Sequence, residues 1–322
     1  MSDKKPVCII DGDYIRFAAS AAGETRTIEV FTESGQLVGE YKTRTEFKAL
    51  CKENNLEYSD YTIVDKQVAE PIANVLHTVK SMVQTALKLS GCDTYRLYLG
   101  KGESFRVERS TLIKYKANRE GTIRPLLLGE VGTYMIKHLG AEVVEHIECD
   151  DKVVMECIGT NNVLIFQDKD FVGCPIKGVN IGRPEDGIIN CNTFGKLWRD
   201  SKGKVRGIGR LFFYLQVASG DSSDNYKANC MSDIKWGEVA AYNALKDCKS
   251  DKEALTALVA IYRHLYPEPK VVTGWRGDLI DIDWLYCLEE VWMMAKMLKS
   301  VSELDNPITC RSILDKLGVN YE

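Results

Sequence analysis

The order of apolar and polar positions divides this 322-residue chain into two stretches of different character. Residues 6–10 form a short continuous apolar run ending in Asp11-Gly12-Asp13, the pattern of a buried strand and its turn. Residues 27–41 alternate around Ser34-Gly35 as a hairpin does. A helical pattern covers 45–53, a strand 61–64, and Pro71 opens an amphipathic helix over 72–89 that Gly91 closes. Strands at 95–99, 142–144 and 163–166 then alternate with helices at 125–139 and 150–158. That alternation predicts an α/β fold with a mostly parallel sheet. Beyond about residue 193 the pattern turns helical, near 207–218, 236–246, 252–264, 281–299 and 308–316. Two regions are therefore expected, an α/β region over 1–192 and a helical one over 193–322, with no internal repeat. The segment 26–70 carries no assigned chemistry and is expected to pack on the sheet edge.

Hydrophobic residues make up 45% and charged residues 27%, which excludes wholesale disorder. The longest apolar runs are too short to span a bilayer, and the start carries no signal-peptide pattern. A cytoplasmic protein with no membrane partner is expected. The 11 cysteines lie between Cys8 and Cys310 with no C-x-x-C pair, and none of the 4 histidines has zinc-ligand spacing. Reduced, mostly buried thiols are the expectation.

The net charge of −4 conceals a polarised distribution. From Lys101 to Arg124, Lys101, Arg106, Arg109, Lys114, Lys116, Arg119 and Arg124 face three acidic residues. Phe105 and Tyr115 are interleaved with these cations, a mixture suited to stacking bases and meeting phosphates along a single strand.

Carboxylates gather where the predicted strands end: Asp11 and Asp13, then Glu148, Asp150 and Asp151, then Asp168 and Asp170, and later Asp221 and Asp224. Taken singly, each group reads as a turn, a helix cap or a solvated loop. Taken together at one crevice they would repel one another unless a countercharge were supplied. Oxygen-only ligands favour Mg2+ or Mn2+, and a carboxylate-held metal pair beside a phosphate-binding segment points to phosphodiester hydrolysis.

These pieces resemble, in order, the motifs of the 5′→3′ exonuclease and flap endonuclease superfamily, phage or bacterial type. They are Ile9-Ile10-Asp11-Gly12, Ser104-Phe105-Arg106-x-Glu108 with Tyr115-Lys116-Ala117-Asn118-Arg119, Glu148-Cys149-Asp150-Asp151, Asp168-Lys169-Asp170, and Gly220-Asp221-Ser222-Ser223-Asp224-Asn225. The resemblance implies a PIN-like nuclease core, a helical arch at about 101–124, and a helical C-terminal region that completes the site and binds duplex DNA. It implies two Mg2+ or Mn2+ ions held or surrounded by Asp11, Glu148, Asp150, Asp151, Asp168, Asp170, Asp221 and Asp224. Asp13 is added to that set for its proximity alone. Lys116 and Arg119 would act on the scissile phosphate, with Arg106, Arg109, Lys114, Tyr115, Arg124 and Lys235 meeting DNA. Expected substrates are DNA with free 5′ ends or 5′ flaps, and possibly RNA–DNA hybrids, in bacterial or phage replication or repair.

Two departures from that pattern bear on the site. The position where the family carries an Asp before the arch is Leu99, so either Glu103 substitutes for it or that ligand is missing. Residues 232–245 keep a single glycine, Gly237, so a helical hairpin is expected there without a potassium site. Two other readings are compatible with parts of the pattern. One is a haloacid-dehalogenase-type phosphatase using Asp11 and Asp13; the other is a DNA-binding relative without catalysis.

Overall fold

The apolar run at residues 6–10 forms strand β1 (Cys8–Asp11), but the residues read as its turn instead open a helix, α1 (Gly12–Ala22). Asp-Gly marks turns and helix starts alike, and the buried Ile15 and Ala19 that follow belong to a helix face. This computed structural model describes residues 5–321, and the opening residues 1–4 of the expected leaderless start lie outside that range.

After α1 the chain forms β2 (Glu24–Thr32), β3 (Leu37–Tyr41), α2 (Arg44–Glu53), β4 (Tyr61–Ala69) and α3 (Ile72–Ser90). There follow β5 (Tyr95–Ser104), α4 (Phe105–Arg109), α5 (Leu128–Leu139), β6 (Glu142–His146), α6 (Cys149–Cys157) and β7 (Val163–Phe166). Then come β8 (Lys177–Asn180), β9 (Ile189–Asn190), β10 (Lys196–Arg199), β11 (Val205–Ile208) and α7 (Arg210–Ser219). The last elements are α8 (Glu238–Leu245), α9 (Asp251–Leu265), β12 (Lys270–Thr273), β13 (Leu279–Ile282), α10 (Trp284–Ala295) and α11 (Cys310–Leu317).

These elements group into two compact units, one built from residues up to 13, 85–122 and 141 onward, the other from 14–84 and 123–140. The expected boundary near 192 does not coincide with a division between them. In the larger unit six strands lie in the order β6-β5-β1-β7-β8-β9, all parallel except β9. The central runs of β1 and β7, buried along nearly their whole length, have the sequence expected of parallel strands covered on both faces. Chain order reverses at β1, with β5 and β6 to one side and β7 and β8 to the other. Ligand crevices of open α/β sheets form at such a switch point, outside the C-terminal strand ends.

One hydrophobic core continues from sheet residues Ile9, Leu164 and Phe166 to Leu258, Leu288 and Leu314 of the later helices. Residues 232–245, where a helical hairpin was expected, hold one helix, α8, and α9 follows from Asp251. The hairpins β10–β11 and β12–β13 were not expected within this largely helical half. All 11 cysteines are free, and all but Cys230 and Cys248 are buried. The segment expected to be an arch is helical in Phe105–Arg109 and in a single turn at Ala117–Arg119.

The smaller unit contains the antiparallel sheet β3-β2-β4 with α2 on it. Ile28, Val30, Phe47 and Cys51 form a core of its own, so the segment 26–70 builds a sheet of its own. Arg124 belongs to this unit. Among the described residues, no helix is long and apolar enough to cross a membrane.

Candidate metal centre

Three strand ends and one helix end deliver the carboxylates. β1 ends on Asp11, whose Oδ1 accepts a hydrogen bond from the Asp13 N–H at 2.9 Å. Asp13 in turn accepts from the Gly100 N–H at 3.0 Å, tying the first turn of α1 to β5. β6 leads to Glu148, the N-cap of α6, with Asp150 and Asp151 in its first turn. β7 leads to Asp168, whose side chain caps the short helical turn carrying Lys169 and Asp170 and accepts from the Asp170 N–H at 3.0 Å. α7 stops at Gly220, where φ is +84° and a Cβ would lie 2.4 Å from the Lys227 Cα and the Tyr226 carbonyl oxygen. The chain can turn there because the residue is glycine, and Asp221 and Asp224 follow.

Electrostatics divide the carboxylates into two groups that share Asp168. Asp150 is held well above the usual carboxylate range, by burial first and then by Asp11, Glu148 and Asp168. Asp170 is raised in the same way, by burial and then by Asp168, with Asp221 and Asp224 adding to it. Asp224 is also raised, chiefly by burial. Burial acts on Asp221 too, but hydrogen bonds from Lys169 and Ser223 outweigh it and hold that carboxyl below its ordinary value. A small cavity, 10 Å³ or about one water, is lined by Glu148, Asp150, Asp170 and Asp224 together with Arg106 and Tyr115. Gln216 Nε2 donates to Asp170 Oδ1 at 2.6 Å. Such a gathering of oxygen donors, three of them raised by burial and by neighbouring carboxylates, fits hard divalent cations.

The cationic segment is stitched to the acidic loop through backbone and side chains. The Lys116 N–H donates to the Asp224 carbonyl at 3.0 Å, Asn225 Nδ2 to the Lys114 carbonyl at 2.9 Å, and Asn118 Nδ2 to the Ser222 carbonyl at 2.8 Å. Lys116 occupies the left-handed region, φ +57°, a costly conformation for lysine that these bonds enforce. Its ammonium pairs with Glu148 and lies 3.7 Å from Asp224. Burial would lower the Lys116 pKa, but Glu148, Asp224 and Asp150 raise it overall. Arg119, whose side chain is 53% exposed, pairs with Asp224 at 2.6 Å.

Several expected site residues have other work. Asp151 is not positioned as a ligand: its Oδ1 accepts from Arg106 at 2.7 Å and from the Leu298 N–H at 2.8 Å, and its Oδ2 accepts from Arg106 at 2.7 Å and from the Glu148 N–H at 3.2 Å. Arg106, expected on the DNA side, is buried and also donates to Glu148 and to the carbonyls of Met294 and Lys296. Tyr115 likewise faces inward, its hydroxyl donating to Glu148 at 3.0 Å or Asp224 at 2.8 Å rather than its ring meeting bases. Arg109 donates to the Leu304 carbonyl, Lys114 pairs with Glu120 at 2.5 Å, and Lys235 is exposed ahead of α8. Glu103 is exposed near Lys114 and does not enter the cluster, while Leu99 is buried in β5.

Instead, Cys149 lies beside the first group. One donor atom each from Asp11, Asp13 and Cys149 fall within 4.8 Å of one another. The thiol is raised well above its ordinary value, by burial and then by Asp11 and Asp13, and donates to the Tyr98 carbonyl at 3.2 Å. Sequence reading missed Gln216 and the pairing of Lys169 with Asp221 at 2.7 Å. Gln216 left a trace: it is the polar exception within the apolar run 211–218.

A larger cavity of 460 Å³ lies away from these carboxylates, walled by Phe105, Tyr286, Trp292, Met293 and Ile308. Its acidic residues are already engaged, Glu289 by the N–H groups of Cys310 and Arg311, Glu290 by those of Thr111 and Leu112, and Glu303 by the Lys296 ammonium. It offers an apolar wall and no converging reactive group.

No protein-family model and no curated protein matches this chain. Among solved structures, it is similar to a Lys-to-Ala mutant of the T5 5′-exonuclease, with 13% identity over 98% of this chain and 96% of that one and a TM-score of 0.44. It is also similar to a bacteriophage T5 flap endonuclease carrying an Asp-to-Lys change, in a pseudo-enzyme–product complex with DNA and metal ions. There the identity is 14%, over 97% of this chain and 98% of that one, with a TM-score of 0.46.

Proposed function

We propose that this chain is a divalent-metal-dependent nuclease that hydrolyses phosphodiester bonds of DNA at 5′ ends or 5′ flaps. The observation that carries the reading is the meeting of two carboxylate groups around a shared Asp168, one of them hydrogen-bonded to a cationic segment. The all-oxygen donors fit Mg2+ or Mn2+. Asp11, Glu148, Asp150 and Asp168 would hold one ion, and Asp168, Asp170, Asp221 and Asp224 a second. When bound, such a pair activates water and stabilises the charge that develops on phosphorus and on the leaving oxygen.

The remaining work falls to this chain's own residues. Lys116, kept protonated by Glu148 and Asp224, supplies a fixed positive charge to the phosphate, and the half-exposed Arg119 supplies a second. Tyr115 spans Glu148 and Asp224 and sets their separation. Arg106 and Asp151 lock the first turn of α6, which fixes Glu148 and Asp150 relative to the sheet. The choice of 5′ ends, and a setting in bacterial or phage replication or repair, rest on the ordered motifs read in the sequence.

The test uses a 5′-labelled duplex bearing a single-stranded 5′ flap, with Mg2+ or with chelator. Mg2+-dependent release of short 5′ products is expected, lost in Asp168→Asn while DNA binding persists. Cleavage preserved in Asp168→Asn would overturn the metal assignment. DNA binding without cleavage in Mg2+ or Mn2+ would replace the reading with that of a binding protein. Substituting an RNA–DNA hybrid in the same assay measures whether RNA is also cut.

A further inference from the structure

The cations around the acidic cluster differ in how firmly they are held. The Arg106–Asp151 pair is enclosed on both sides, with side-chain exposures of 2% and 0%. The Lys169–Asp221 pair is asymmetric: the carboxylate is 3% exposed and the lysine 50%. A cation with a solvent route, resting on a buried anion, can be detached without unpacking the fold. Lys169 is also confined, because its backbone lies between Asp168 and Asp170 in a turn capped by Asp168. Its ammonium therefore remains near the cluster even when detached. Lys116 reaches both Glu148 and Asp224 and so bears on both carboxylate groups. Lys169 pairs within one.

We propose that Lys169 is a tethered cation that competes with a divalent ion for Asp221, making the half of the site formed by Asp170, Asp221 and Asp224 bind its ion more weakly than the half around Asp150. The inference rests on the metal-nuclease reading above. An ion that takes Asp221 must detach the ammonium, and the two positive charges then repel each other at close range. The half around Asp150 would fill first. The second half would fill as divalent concentration rises, which makes Lys169 a setting for the concentration at which the site is complete.

The experiment titrates Mn2+ into the metal-free full-length chain, reading free Mn2+ by electron paramagnetic resonance, for wild type, Lys169→Gln and Lys169→Arg. Wild type should show two affinity classes. Lys169→Gln should tighten the weaker class by about tenfold or more and leave the stronger one unchanged, as removal of one adjacent charge requires. Lys169→Arg, which keeps the charge, should behave as wild type. Thermal unfolding in chelator should show Lys169→Gln melting below wild type, with Mn2+ closing the gap. A weaker class that is unchanged or loosened in Lys169→Gln overturns the inference. Wild type that binds no Mn2+ overturns the nuclease reading with it, whereas Mg2+-dependent flap cleavage with two ions indifferent to Lys169→Gln overturns the inference alone.

Discussion

Replacing Asp151 by Asn tests whether this residue supports the site or belongs to it. Each carboxylate oxygen accepts from two donors: Oδ1 from Arg106 and the Leu298 N–H, Oδ2 from Arg106 and the Glu148 N–H. An amide placed there turns one oxygen into an NH2 group, and in either orientation that group confronts a guanidinium N–H and a backbone N–H. The Arg106 guanidinium keeps its charge in a buried position with one carboxylate partner fewer. Breaking one side of a buried ion pair costs about 3–5 kcal/mol, and at roughly 2–4 °C per kcal/mol for a domain of this size the melting temperature should fall by roughly 10 °C. The Arg106 ion pair and hydrogen bonds hold Asp151 below the usual carboxylate range despite its burial. Its stabilising contribution is therefore fully present above the ordinary Asp pKa and is lost only as pH falls below it. The deficit should thus be constant between about pH 5 and pH 8. The assay is thermal unfolding with and without Mg2+, together with Mn2+ titration at a temperature where the variant is folded. A variant that melts with wild type but has lost an ion would refute the argument and make Asp151 a ligand.

Further expectations concern the cluster itself. Because Asp150 and Asp170 have raised folded-state pKa values, they favour folding below the ordinary carboxylate range, and that contribution is lost as pH rises through their folded values. Thermal scans of chelated protein should therefore show Asp150→Asn and Asp170→Asn melting above wild type at neutral pH, with their stabilisation by Mg2+ lost. The same raised values mean that metal uptake releases protons, so calorimetry in buffers of different ionisation enthalpy should detect release that grows as pH falls; buffer-independent heats would contradict it. Tyr115→Phe removes a hydroxyl that donates to Glu148 or Asp224, one bond to a charged group being worth about 1.5–3 kcal/mol. Flap cleavage should drop by at least about tenfold with DNA binding retained, and unaffected turnover would dismiss the positioning role. Gly220→Ala forces a Cβ into the backbone of the Tyr226–Lys227 segment at positive φ, costing about 1–3 kcal/mol from strain alone; a denaturant midpoint equal to wild type would show that the turn can relax.

The elements that sequence reading recovered are those whose burial pattern leaves a periodic trace. The run Val163–Phe166 is buried throughout and became β7 with the expected bounds, and the helices after 207 alternate buried and exposed faces. β12 and β13 left no such trace because Val271 and Leu279, 59% and 76% exposed, put apolar residues on the solvent side. At the site, the residue types were legible and the partner assignments were not. Asp150 and Asp151 are adjacent and chemically identical in sequence. One faces the carboxylates and the other faces Arg106, because α6 turns successive residues to different sides. Arg106 and Tyr115 read as surface cations and rings, since nothing in their spacing signals that residues 294–298 close over the guanidinium. Cys149 gave no signal either, because its place beside Asp11 and Asp13 is set by the register of β1, β5 and β6.

The central position of β1 has a consequence for how the molecule is made. β1 pairs with β5, 87 residues later, and with β7, 155 residues later, as the registers Cys8 to Tyr95 and Cys8 to Val163 show. Contacts so distant in sequence slow folding, because a long loop must close before any pairing energy returns. On the ribosome, the strand that bears Asp11 emerges first and waits for both neighbours. Asp221 and Asp224 arrive later still. A nascent or truncated chain ending before them would hold the sheet's middle strand and most of the carboxylates without the loop to which Lys116 is tied, so the full carboxylate arrangement can first exist only when about two thirds of the protein has been synthesised.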